Sequence, residues 1–129
     1  MGTRAIYTFE DNYSEVNIFI HYDGYPAGAA EYLAKWMGSE KSWPLPRFEA
    51  DEAAAGFVAA TKRRAGNVRI MPSRTAACDV EFGYRISKKD GKPWIQAAET
   101  DYWDETPVEH VFFDGLLSEF IEKHKRKAA

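Results

Sequence analysis

Two segments near the amino terminus, RAIYTFE (4–10) and EVNIFIHY (15–22), are rich in β-branched and aromatic residues. The turn-forming residues DNYS separate them, and this pattern predicts a β-hairpin. If the four-residue loop sets the register, the two sequence positions in each facing pair add up to about 25. The predicted pairs are Phe9 with Val16, Tyr7 with Ile18 and Ala5 with Ile20 on an apolar face, and Thr8 with Asn17, Ile6 with Phe19 and Arg4 with His21 on the other.

The second strand runs into HYDGYP (21–26), which has two interpretations. As a strand-to-helix turn, Asp23 accepts local backbone N–H bonds, Gly24 takes a positive φ and Pro26 begins a helix. As a binding site, the turn places a carboxylate, an imidazole and aromatic rings beside Arg4. An arginine fork binds phosphate, a carboxylate accepts from ribose or a base edge, and a tyrosine ring stacks on a base. Both interpretations stay open at this level.

The middle of the chain predicts two helices. The first runs from Pro26 to about Met37, with one apolar face formed by Ala29, Leu33 and Trp36. The second spans roughly 48–64, with an acidic first turn, a basic last turn and Gly66 as its cap.

Strands follow the helices. Segment 67–71 is a short strand, 79–87 alternates cleanly, and 93–100 returns after the hairpin signal Asp90-Gly91. This two-residue turn pairs Ile86 with Ile95 and places Trp94 beside Ser87 on the polar face. The apolar face of 79–87 is predicted to carry Val80, Phe82, Tyr84 and Ile86.

The carboxyl-terminal third admits two assignments. Residues 106–109 resemble a capping box that begins a helix, whereas HVFF followed by Asp114-Gly115 is typical of a strand and turn. We favour a strand at 108–113 and a helix over 115–126, with Leu116, Leu117, Phe120 and Ile121 inward. The predicted order is ββααβββ(β)α, a single α+β domain over 1–129, with an antiparallel sheet and helices packed on one face.

Charge and cysteine content narrow the class of protein. The net charge of −3 argues against binding to nucleic acid polymers, which requires a basic footprint. A single cysteine, Cys78, cannot form an internal disulfide, and the chain carries no apolar leader and no apolar run of membrane-spanning length. We therefore expect a cytoplasmic protein without membrane contact.

Other candidate features favour structural roles. The stretch from Trp43 to Arg47 is typical of a rigid connection, although either residue is a candidate for the rim of the turn pocket. Trp94 either lies half covered by lysine stems or contacts a second subunit, and we favour the subunit contact slightly. The basic runs at 62–64 and 123–127 are typical of solvated helix ends, and the acidic residues near 101–105 match no calcium loop. No catalytic or cofactor motif is present, so no catalytic residue, metal ligand or cofactor is assigned.

The chain resembles a widespread group of small phage-encoded proteins. They share a Thr-Arg start, an H-x-D-G-Y-P turn after the second strand and a later D-x-E-x-x-Y-like strand. The resemblance covers about half of the chain and implies a phage or prophage origin, but it supplies no binding residues. The matching residues are Thr3, Arg4, His21, Asp23, Gly24, Tyr25, Pro26, Asp79, Glu81 and Tyr84.

Small phage proteins without catalytic motifs often counter bacterial defence, and one class sequesters cyclic nucleotide or ADP-ribose signals of CBASS or Thoeris systems. By that analogy we expect a non-enzymatic, homo-oligomeric protein that binds a small, often cyclic, nucleotide in the host cytoplasm. Its predicted ligand-binding residues are Arg4, His21, Asp23, Tyr25, Trp43 and Arg47. The alternatives are a protein–protein inhibitor of a host enzyme with Trp94 and Trp103 as anchors, and a hydrolase that degrades such a signal.

Overall fold

The structure is a computed structural model that describes residues 2–39, 48–73, 80–101 and 108–125, with the side chain of Asp101 excepted. It is an α+β fold, as the sequence predicts. In chain order its elements are β1 (Ala5–Glu10), β2 (Glu15–Ile20), α1 (Pro26–Met37), α2 (Ala50–Thr61), β3 (Val68–Met71), β4 (Phe82–Lys89), β5 (Lys92–Asp101), β6 (Val108–Leu116) and α3 (Leu117–His124). None of the described helices is long and apolar enough to cross a membrane.

The six strands form one mixed sheet in the order β3-β2-β1-β4-β5-β6. Four neighbouring pairs are antiparallel, but β1 and β4 run parallel. The predicted antiparallel sheet is therefore wrong in this respect. Hairpin rules apply to strands that follow each other in sequence, whereas β1 and β4 are joined only through a long connection that can support parallel pairing.

Both predicted hairpin registers are confirmed. In the first, Tyr7 pairs with Ile18 and Thr8 with Asn17. In the second, Ser87 pairs with Trp94. Its two turn residues, Asp90 and Gly91, have φ angles of 53° and 76°, so both adopt the left-handed conformation that a type I′ turn requires.

The main core lies between the sheet and the helices, which all pack on one face. The ring of Tyr7 lies between Phe57 of α2 and Tyr84 of β4, with ring centroids 4.9 Å and 5.1 Å away. Trp36 of α1 and Phe120 of α3 are also fully buried in this cluster. Helix α1 follows its prediction, with Pro26 in its first turn and its predicted apolar face buried.

The opposite face of the sheet, which we call the open face, carries a smaller cluster of Ile6, Phe19 and Val80. The prediction that Val80 shares a face with Tyr84 is therefore wrong. The backbone N–H groups of Glu81 and Phe82 both donate to the carbonyl oxygen of Arg4, at 3.0 Å and 3.3 Å. Because two consecutive residues bond one acceptor, the alternation shifts there and Val80 moves to the other face.

Helix α2 ends earlier than predicted, at Thr61, and has no basic residue in its last turn. Lys62 is already extended, and its Nζ donates to the carbonyl oxygens of Arg64 (3.3 Å) and Val68 (3.0 Å). These bonds turn the chain toward β3. Gly66 has a φ of 86° within the connecting loop and does not cap the helix.

The carboxyl-terminal strand is longer than predicted, because β6 continues to Leu116 and α3 begins at Leu117. Asp114-Gly115 is therefore not a turn, and residues 106–107 of the alternative capping box lie outside the described residues. Opposite Ala97 and Ala98 the pairing skips Phe112. This irregularity lets the rings of both Phe112 and Phe113 pack against the ring of His124 on α3. Their ring centroids lie 6.0 Å and 6.3 Å from that of His124.

Candidate functional site

An open pocket of about 460 Å³ lies where the hairpin meets the HYDGYP turn; we call it the turn pocket. Four of the predicted ligand-binding residues line it together, while Trp43 and Arg47 lie outside the described residues. The pairing of Ala5 with Ile20 makes Arg4 and His21 the next residues along the hairpin, which explains their proximity. The full lining is Gly2, Thr3, Arg4, His21, Tyr22, Asp23 and Tyr25.

The backbone of the turn is fixed against the sheet through Gly24. Its N–H donates to the carbonyl oxygen of Thr3 (2.9 Å), and its own carbonyl oxygen accepts from the hydroxyl of Tyr84 (2.6 Å). A Cβ on Gly24 would lie 2.7 Å from the Cβ of Ala5, so the glycine is needed for this close approach. The predicted positive φ belongs to Asp23 (59°) instead, a residue type that tolerates this conformation.

Helix α1 holds the turn from the other side. A Cβ added to Gly28 would overlap the carbonyl oxygen of Asp23, so the first turn of the helix lies directly against the bend. The hydroxyl of Tyr32 donates to the carbonyl oxygen of Tyr22 (3.2 Å). Contacts with β1, β4 and α1 thus fix the backbone, and the pocket does not depend on a ligand for its shape.

The ring of His21 lies between two aromatic rings. Its centroid is 6.1 Å from that of Phe19 and 4.5 Å from that of Tyr22, both in edge-on geometry. Tyr22 is 42% exposed, although it faces the pocket and packs against Gly2. The structure therefore presents Tyr22 as a candidate stacking surface beside the predicted Tyr25.

The polar side chains of the pocket differ in the hydrogen bonds and ion pairs that they make within the protein. Among the described residues, the side chains of Arg4 and His21 make no hydrogen bond or ion pair. The hydroxyl of Tyr25 donates to Oδ1 of Asp23 over 3.4 Å, which is a weak bond. The guanidinium is thus available to an anion, and the exposed carboxylate is available to a hydroxyl or amino group.

The phenols beneath the turn stay neutral. Burial raises the pKa of Tyr7 well above its ordinary value, with smaller contributions from Tyr84, Tyr32 and Asp23. Burial also raises the pKa of Tyr84, and burial together with Asp23 and Glu31 raises that of Tyr32. These three groups therefore add no negative charge that would repel an anionic ligand.

Sequence reasoning did not assign two arginines that the fold brings to this region. The guanidinium carbon of Arg64 lies 5.7 Å from the ring centroid of Tyr22, and that of Arg69 lies 5.1 Å from that of Phe19. Arg64 belongs to a basic run that we interpreted as a solvated helix end. Its position follows from the pairing of β3 with β2, for which the local sequence carries no signal.

The pocket lining carries guanidinium, imidazole, carboxylate, phenol and hydroxyl groups. It contains no cysteine, serine or lysine, and among the described residues no hydrogen bond joins the hydroxyl of Thr3 to His21. Among the residues that the structure describes, no group of three or more His, Cys, Asp or Glu could hold a metal ion. No family model, curated protein or solved structure matches this chain.

Proposed function

We propose that the protein binds a small phosphorylated nucleotide in the turn pocket and sequesters it without cleaving it. The observation that carries the proposal is the guanidinium of Arg4, which has no partner among the described residues, in one pocket with His21, Asp23, Tyr25 and the exposed ring of Tyr22. Arg4 pairs with phosphate, His21 bonds phosphate, ribose or base, Asp23 accepts from ribose or base, and Tyr22 or Tyr25 stacks on the base.

Affinity for such a ligand requires several of these contacts at once. Sub-micromolar binding corresponds to more than about 8 kcal/mol, and base stacking on one ring supplies roughly 1–3 kcal/mol. Charge-assisted hydrogen bonds must supply much of the rest. The rigid backbone of the turn supports this, because a preformed site loses little conformational entropy on binding.

Calorimetry with cyclic dinucleotides, cyclic trinucleotides and cyclic ADP-ribose isomers tests the proposal. At micromolar protein we expect heat with at least one of them, and loss of that heat in Arg4→Ala. Arg63→Ala is the matched control, since this substitution removes the same charge from an exposed residue outside the pocket lining. No heat with any member of the panel would refute the proposal. Chromatography after incubation should return the ligand intact, whereas a cleaved product would indicate a hydrolase.

The biological role in this proposal is an anti-defence function of a phage protein in the host cytoplasm. Its support is the resemblance carried by Arg4 and HYDGYP, together with the pocket chemistry. In bacteria that carry a cyclic-nucleotide defence system, expression of the protein should restore plaque formation by a sensitive phage. Arg4→Ala should not restore it, and equal plaque numbers with both variants would contradict this role.

The second candidate function is a protein–protein inhibitor, and the observation that favours it is the β6 edge. This edge strand exposes Val108, Val111 and Phe112, at 44%, 51% and 39%. Edge strands pair readily with other chains. Self-association into a homo-oligomer would use the same edge, and light scattering of wild type and Val111→Lys tests it. Capture of a host enzyme that Val111→Lys abolishes and Arg4→Ala preserves would favour the inhibitor.

Trp94 has partners within the chain. Its Nε1 donates to Oδ1 of Asp114 (2.6 Å), and the Nζ of Lys89 lies 4.6 Å from its ring centroid. Contact of this half-buried ring with a second subunit or a host enzyme stays a prediction.

A further inference from the structure

Two arginines flank a run of three aromatic rings beside the turn pocket. The guanidinium of Arg69 lies over Phe19, whose ring contacts His21, and the guanidinium of Arg64 lies over Tyr22, which contacts His21 from the other side. We call this set the cation–aromatic row. Its members, in spatial order, are Arg69, Phe19, His21, Tyr22 and Arg64.

The two arginines of the row each lie near an aromatic ring. A guanidinium carries five N–H donors in a planar fork that matches a phosphate. Neither Arg64 nor Arg69 has a carboxylate partner among the described residues. Arg4 has no carboxylate partner among the described residues either, although the chain has a net charge of −3.

The strand order separates these cations. Arg69 lies on β3 and Arg4 directly precedes β1, with β2 between the two strands. Neighbouring strands are about 4.8 Å apart, so the backbones of β3 and β1 are roughly 10 Å apart. This separation suits two phosphates better than one phosphate held by all the arginines.

We propose that the cation–aromatic row is a second phosphate subsite beside Arg4, so that the ligand class is a dinucleotide with two separate phosphates. This inference rests on the proposed function, since it extends the same pocket. Arg4 contacts one phosphate, and the other is contacted by Arg64 at the Tyr22 end of the row or by Arg69 at its Phe19 end. The exposed ring of Tyr22 lies where a base can stack. The acidic net charge disfavours a nucleic acid polymer as the ligand.

The test compares probes with one and two phosphates. Cyclic di-AMP and cyclic di-GMP are titrated by calorimetry into wild type, Arg64→Ala and Arg69→Ala, and AMP and GMP are titrated in parallel. We expect at least one of the two variants to lose about tenfold in affinity for a cyclic dinucleotide, as for loss of a charge-assisted hydrogen bond. Affinity for the mononucleotides should change less than twofold. Arg63→Ala controls for the loss of one positive charge. Circular dichroism of Arg64→Gln and Arg69→Gln tests whether removal of either guanidinium alters the fold.

Each other result overturns the inference in its own way. If wild type binds a cyclic dinucleotide and both variants bind it equally well, the second subsite is absent but the proposed function stands. An equal loss for mononucleotides, or an equal loss in Arg63→Ala, also contradicts a separate subsite. Affinity that keeps rising with the length of an oligoadenylate would indicate a polymer surface. No binding of any probe would remove the proposed function as well.

Discussion

The two ends of the β1–β2 hairpin carry similar polar residues but use them differently. At the DNYS end, Oδ1 of Asp11 accepts from the backbone N–H groups of Tyr13 (2.7 Å) and Ser14 (2.8 Å), and Oδ2 accepts from that of Ala50 (2.8 Å). Glu10 forms an ion pair with Arg85 at 3.2 Å. At the HYDGYP end, Arg4 and His21 have no such partner among the described residues.

Pocket size does not separate the two ends. A pocket of about 400 Å³ adjoins the DNYS loop, against about 460 Å³ for the turn pocket. The difference is that the carboxylates of Glu10 and Asp11 are already engaged within the fold. A charged side chain that stabilises a helix or a turn is a poor candidate for a ligand contact, whereas an unpaired one is a good candidate.

We expect the largest effect from a side chain added at Gly28, which would displace the backbone at the HYDGYP end of the hairpin. Because a Cβ there would overlap the carbonyl oxygen of Asp23, Gly28→Ala should lower the free energy of unfolding by about 3 kcal/mol, as in overpacked sites. Urea denaturation measures this change. Gly38→Ala is the control, since its added Cβ would meet only the carbonyl oxygen of Ala34 at 3.3 Å. Equal losses in the two variants would contradict the close approach.

The next effect breaks the DNYS end. Asp11→Ala removes the loop bonds and the bond to the first residue of α2, so we expect a loss of about 1–2 kcal/mol in unfolding free energy, as for a lost helix cap. Asn12→Ala, in the same loop, should change it by less than about 0.5 kcal/mol. Thermal and urea unfolding test both, and a neutral Asp11→Ala would show that these bonds contribute nothing.

Lowering the pH tests how much the carboxylate of Asp11 contributes to stability at the DNYS end. The backbone N–H of Ala50, followed by that of Tyr13, lowers the pKa of Asp11 from its ordinary value of 3.8. The folded state therefore releases this proton more readily than the unfolded state, so the stabilisation is present above pH 3.8 and is lost as the pH falls through the folded-state pKa. The stability difference between wild type and Asp11→Asn should shrink over that window. A difference that is constant with pH would argue against the carboxylate.

We expect a smaller effect from removing the hydroxyl of Tyr84 or of Tyr7, whose rings stack on each other beneath the turn. Tyr84→Phe removes the hydroxyl that donates to Gly24 and should cost about 1 kcal/mol. Tyr7→Phe removes a buried hydroxyl that has no hydrogen-bond partner in the described part of the chain, so it should be neutral or stabilising. Denaturation of both variants measures the difference. The opposite ranking would show that Tyr84 does not hold the turn.

The smallest effect on stability belongs to Arg4 of the turn pocket. Arg4→Ala should change the unfolding free energy by less than about 0.5 kcal/mol, because its side chain bonds no other described residue. It should nevertheless weaken nucleotide binding about tenfold. A large loss of stability would mean that this residue, like Asp11, serves the fold.

The sequence by itself determined the local structure of this protein. Loop length and alternation specified both hairpin registers, and these placed Arg4 next to His21. Proline specified the start of α1, and Asp90-Gly91 the tight turn. These features follow from residues close in sequence, whose sterics and hydrogen bonds leave few conformations.

Only the tertiary structure decided the order of the strands. It placed β4 parallel to β1, moved Val80 to the open face and extended β6 through Asp114-Gly115. It also brought Arg64 to the ring of Tyr22 and Arg69 to the ring of Phe19. The physical reason is that contacts between distant segments depend on which packing buries the most apolar surface, and no local pattern encodes that choice.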